Sequence, residues 1–130
     1  MLGDIVNSTP FFADAADQGL GSLPGLGAGY LAYLNGPKSA RAKVLYVGAN
    51  DGMLHGFKDT LGQRPQVDGT EVFAYVPQAV QGQLARLASP DYGTSAQPHR
   101  YFVDGSLSAF DAFFFDIAQC FDIAQIRDTS

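Results

Sequence analysis

Few side chains in this sequence combine the types and spacing that chemistry requires. Asn50-Asp51-Gly52 could present a carboxylate to a cation or a ligand. The same triplet suits a tight hairpin turn: Asn and Asp tolerate left-handed backbone, Gly adopts it freely, and Asp bonds its own main chain. The turn reading is preferred because the flanking runs need one there, and on that reading Asp51→Asn is expected to be nearly silent. His55 could be a general base or a metal ligand, but no second ligand stands two residues away on its strand. Its expected role is packing beside Met53 and Phe57 with a hydrogen bond. His99 follows a proline and is expected to be exposed and inert; nothing in the sequence brings the two histidines together.

The nucleophile candidates are weaker still. Asp104-Gly105-Ser106 is not the Gly-x-Ser-x-Gly elbow, and Ser8 sits in Asn7-Ser8-Thr9-Pro10, which reads as a turn. Asn7-Ser8-Thr9 also matches a glycosylation acceptor pattern, which is discounted. The glycines from Gly19 to Gly29 lack the Gly-x-Gly-x-x-Gly spacing and a Walker lysine, so they read as a flexible loop and not a phosphate cradle. Asp14 and Asp17 read as a solvated pair. Cys120 stands alone, which excludes an intrachain disulfide and a cysteine-based zinc site. No catalytic, cofactor-binding or metal-ligating residue is therefore assigned.

The elements that would position these residues follow from composition and pattern. The 130 residues suit at most one compact domain, and 46% apolar content supplies a core. A net charge of −5, with Lys38, Arg41 and Lys43 as the densest basic stretch, argues against nucleic acid as a partner. No apolar run reaches the roughly 18 residues of a membrane span. No signal peptide is visible, so an export signal, if one is used, is expected outside this sequence. Of the thirteen acids only Glu71 is Glu; abundant Asp, Gly and Pro favour strands and turns over helices.

Residues 1–40 read as irregular. Residues 43–48 and 53–57 read as a hairpin, residues 71–76 as a third strand, and residues 100–103 as a fourth, closed by Asp104-Gly105. Val80, Leu84 and Leu87 form a helical stripe and predict one short helix near 78–88, weakened by Gly82. The pentapeptide Phe115–Gln119 recurs as Phe121–Gln125. Phe114, Ile117, Phe121 and Ala124 fit a helical seam or an unstructured tail equally well.

Four segments, in order, resemble the type IV pilus tip adhesin and biogenesis family of PilY/PilC type: Leu2–Ser8, Val44–Phe57, Phe73–Pro77 and His99–Gly105. The likeness spans about residues 2–114. It implies a mainly β fold, a partial β-propeller of quinoprotein-like blades with one short helix and long loops. The division it suggests is an irregular opening segment of the propeller domain over 1–40, blade material over 41–114, and an atypical tail over 115–130 arising from a frameshift or duplication. A propeller typically needs at least four blades of four strands, so the chain is expected to be an N-terminal slice, a fragment or an interrupted reading frame.

The resemblance implies a non-catalytic part of an exported pilus-tip adhesin, acting in pilus assembly, twitching motility and surface adhesion. The implied location is the pilus tip, the cell surface or the periplasm and outer membrane. Implied partners are pilin or minor pilins and a host or abiotic surface. Calcium is implied for the full-length family through an Asp-rich loop absent here, so no cofactor is expected in this chain. The alternative is a slice of a quinone-dependent dehydrogenase propeller; the Leu2–Ser8 and Phe73–Pro77 segments and the lack of tryptophan favour the adhesin.

Overall fold

A computed structural model describes residues 2–112 in full and the backbone of 121–126. Its centre is the hairpin of β2 (Lys43–Ala49) and β3 (Met53–Asp59), in register from Lys43 opposite Asp59 to Ala49 opposite Met53. The β-branched and aromatic content of Val44, Tyr46 and Val47 favours the pleated state, and Asn50-Asp51-Gly52 closes it. Asp51 Oδ1 accepts the Met53 N–H at 3.0 Å, and Gly52 takes φ +88°, as the turn reading requires. β4 (Glu71–Tyr75) pairs antiparallel with β3 across a bulge at Gly56/Phe57. The connection between them is pinned by Asp68, whose carboxylate accepts the Thr60 N–H and hydroxyl at 2.6 Å each. The Thr60 hydroxyl is the main reason that this carboxyl sits below the ordinary aspartate value.

β1 (Phe11–Ala13) pairs with the other edge of β2, Phe11 opposite Tyr46. The result is a four-stranded antiparallel meander, β1-β2-β3-β4. A second sheet pairs β5 (Leu107–Ala112) with β6 (Phe121–Ile126), Leu107 opposite Ile126. The core lies between β3 and the stretch leading into β5. Leu54, Val103 and Leu107 are buried there, with Phe11, Tyr46, Val80 and Phe102 packed around them.

Residues 1–40 are more ordered than their composition suggests. Besides β1, they form a 3₁₀ turn at Leu20–Ser22, helix α1 (Gly27–Tyr33) and a π-helical turn at Leu34–Lys38. Gly27 lies so close to the Gly21 carbonyl oxygen that a Cβ would stand 2.0 Å from it. Glycine here permits close packing, and the loop reading of Gly19–Gly29 is corrected accordingly. The helix expected near 78–88 is two single turns, α2 (Gln78–Gln81) and α3 (Leu84–Leu87), divided by a turn at Gly82-Gln83 whose backbone stays in the right-handed region. Its apolar stripe holds nonetheless: Val80, Leu84 and Leu87 converge over Gly52.

Two further expectations change. Residues 100–103 are not a strand. Phe102 donates its N–H to the Asn50 side chain at 3.2 Å instead of entering a ladder, and the strand begins later, at Leu107. The second copy of the pentapeptide is β6, so the helical seam does not hold for Phe121 and Ala124. Phe114, Ile117 and the first copy lie outside the described residues.

Candidate functional site

The β2–β3 turn carries most of the polar organisation. Asp51 receives three groups: the Met53 N–H on Oδ1, the Gly3 N–H on Oδ2 at 2.8 Å, and the His55 ring, whose Nε2 is 3.0 Å from Oδ2. His55 is 4% exposed, and its Nδ1 lies 2.5 Å from Glu71 Oε1 at the start of β4. The imidazole therefore has a carboxylate at each nitrogen. Either neutral tautomer donates to one of them, and the imidazolium donates to both. The ring stacks on Phe57 at 6.1 Å, so the expected packing is present and the carboxylate partners are additional.

Asn50 extends the network. Its backbone N–H donates to the Asp4 carbonyl at 3.0 Å, its side-chain amide donates to Asp4 Oδ2 at 3.0 Å, and its Oδ1 accepts from Phe102. The Asn50 amide is the main cause holding the Asp4 carboxyl below the usual aspartate value. His99 is exposed, as expected, between Tyr92 and Tyr101 and 3.4 Å from Asp4 Oδ2. The turn thus ties together the opening segment, β4 and the segment before β5.

The other candidates are structural as well. Ser8 is 8% exposed, and its hydroxyl accepts the Gly48 N–H at 2.9 Å. Asn7 donates to Asp104 Oδ2 at 2.9 Å. Asp14 and Asp17 each accept a backbone N–H two residues on, from Ala16 and Gly19, both at 2.8 Å. They serve two separate turns and not a shared site. Cys120 lies outside the described residues.

No motif in the sequence points to the Lys38–Asp111 pair. Lys38 Nζ is 2.5 Å from Asp111 Oδ2 and donates to the Ala16 carbonyl at 2.8 Å, with both charged side chains only 2% exposed. The partners are 73 positions apart, and no local spacing marks them.

This arrangement braces strands. His55 has no hydroxyl or thiol nucleophile among its partners. Among the described residues no group of three or more His, Cys, Asp or Glu side chains could hold a metal ion. Asp51 and Glu71 stand at opposite edges of the ring, so their oxygens do not converge, and both Asp51 oxygens already accept backbone N–H groups. These residues do not fit the calcium ion that the family resemblance implies.

The added partners change the expectation for Asp51→Asn. An amide cannot present oxygen both to Met53 and to Gly3, and it weakens the contact with His55. A loss of about 1–3 kcal/mol is expected, the range for a charged hydrogen bond. Urea melts of the variant and the parent chain measure it, and coincident midpoints would return Asp51 to a purely local turn role.

A four-stranded antiparallel meander followed by the hairpin of a second sheet, with its polar side chains spent on bracing, is β-propeller blade architecture. The chain belongs to the PilY1 beta-propeller domain family, whose model matches residues 2–126. That match runs beyond residue 114, where the resemblance read from the sequence stops. Similar proteins include a type IV pilus biogenesis factor PilY1 homolog of Xylella fastidiosa, 38% identical over 114 residues, 87% of this chain and 8% of that protein. A second X. fastidiosa homolog is 41% identical over 118 residues, 86% of this chain and 7% of its own length. The type IV pilus biogenesis factor PilY1 of Pseudomonas aeruginosa strain PAO1 is 39% identical over 127 residues, 88% of this chain and 9% of that protein. The chain thus spans under a tenth of the length of these curated relatives. No solved structure matches it. No helix among the described residues is long and apolar enough to cross a membrane.

Proposed function

We propose that this chain supplies non-catalytic blade material to a type IV pilus biogenesis factor. It serves at the cell surface or pilus tip in pilus assembly, twitching motility and surface adhesion. The observation that carries the reading is the β1-β2-β3-β4 meander in a chain that the family matches from residue 2 to 126. The absence of turnover is supported by the candidate groups themselves: Ser8, Asp51, His55 and Asp104 are all engaged in holding segments together. Pilin or minor pilins and a host or abiotic surface are the partners proposed. Calcium, if the full-length protein uses it, is held by residues other than Asp51. The names of the relatives favour this reading over a quinone-dependent dehydrogenase.

The test exchanges residues 2–126 for the matching stretch of the P. aeruginosa relative, in a strain lacking that protein. Surface pili and a twitching zone are expected to return. A chimera that reaches the surface in parental amount while the strain stays without pili would overturn the proposal.

A further inference from the structure

The chain carries a formal charge of −5, yet five of its eight lysines and arginines lie around two adjoining cavities at the end of the sheet away from Asp51. One cavity, of about 380 Å³, is lined by Arg41, Lys43, Asp14 and Tyr46 among others, and by Lys38, whose charge is met by Asp111. The next, of about 390 Å³, shares Arg41 and Lys43 and adds Lys58, Arg64, Gln63 and Asp59. The two acids are partly engaged: Asp14 accepts the Ala16 N–H and Asp59 accepts the Leu61 N–H. Lys43, Lys58 and Arg64 make no ion pair among the described residues. Positive charge gathered in a concave surface focuses the field there even on an acidic protein.

We propose that this double cavity binds a glycan bearing two or more sulfate or phosphate groups. Lys and Arg are donors without acceptors, and tetrahedral oxyanions present several acceptor oxygens to them. Two cavities joined through Arg41 and Lys43 suit successive anionic groups on one flexible chain. An acidic peptide is the poorer fit, because peptide docking relies on apolar anchors and the second cavity is lined by polar side chains and two alanines. Nucleic acid is poorer too, because Tyr46 of the first cavity is the one aromatic ring among the described residues lining the pair, where successive bases need a series of rings to stack on.

The test titrates a fluorescent heparin-derived hexasaccharide with the full chain at 50 and 200 mM salt. Binding is expected at the lower salt and is expected to weaken about tenfold or more at the higher. Lys43→Gln/Lys58→Gln/Arg64→Gln is expected to weaken binding at least about tenfold, while Arg86→Gln/Arg100→Gln leaves it unchanged; melting curves confirm that both variants fold. Absence of binding at 50 mM salt overturns the proposal. So does equal loss in both variants, or equal affinity for polyglutamate or single-stranded DNA of matched charge. The readout is independent of piliation, so this site and the pilus role fail separately.

Discussion

Replacing Lys38 with methionine is expected to destabilise the fold by about 3–5 kcal/mol, the cost of breaking a buried ion pair from one side. The ammonium compensates an Asp111 carboxylate that is 2% exposed. Asp111 Oδ1 has no hydrogen-bond partner among the described residues, so loss of Lys38 strips the group of the ion pair that compensates it. That loss is a large part of the roughly 5–15 kcal/mol that hold a typical domain together. Lys38→Met/Asp111→Leu removes both charges and is expected to recover most of the stability, since two apolar groups bury at little cost. Urea denaturation of the parent, both single variants and the double variant measures the coupling. Single variants that melt with the parent would show that the pair contributes nothing in solution.

Gly52→Val is the second large effect. Gly52 has φ +88°, which a β-branched residue resists. A Cβ there would also stand 2.9 Å from Leu84 Cδ2 and 3.5 Å from Leu87 Cδ1. Strained positions of this kind cost about 1–3 kcal/mol, and displacing α3 from the turn places the loss at the upper end. Gly52→Ala meets the same backbone strain and the same Leu84 contact, so its difference from Gly52→Val isolates the cost of β-branching. In a full-length relative, Gly52→Val is expected to lower surface display and piliation together. Wild-type stability of Gly52→Val would mean that the turn adopts another geometry.

Hairpin residues 43–57 were legible because their signals are local: alternation along each strand and an Asn-Asp-Gly turn between them. The same holds for Glu71–Tyr75 and for the stripe of Val80, Leu84 and Leu87. β1 is only three residues long, too short to show a period, and its partner lies past a helical insertion. α1 was hidden because its glycine content signals a loop, whereas Gly27 serves a close approach to Gly21. Phe102 and Val103 look like a strand, but a single side-chain acceptor 52 positions away holds that segment. At the candidate site, the turn role of Asp51 was readable from its neighbours. Its contacts with Gly3 and His55, and the pairing of Lys38 with Asp111, depend on tertiary placement that no spacing rule records.

Asn50 grips residue 4 on one side and residue 102 on the other, and this sets an order of events. The β2–β3 hairpin closes over three residues and can form within roughly microseconds. β1 pairs only after residues 14–42 have been looped out, at an entropic cost that grows slowly with loop length. The Asn50 clamp closes in two stages: its bonds to Asp4 need no residue beyond 50, and its bond to Phe102 forms only once residue 102 has been made. Gly3 on Asp51 and Ser8 on Gly48 belong to the first stage as well, so the opening segment is held before residue 102 joins. Ile5 and Val6, 44% and 53% exposed even in the finished fold, stay open to chaperones and proteases through both stages.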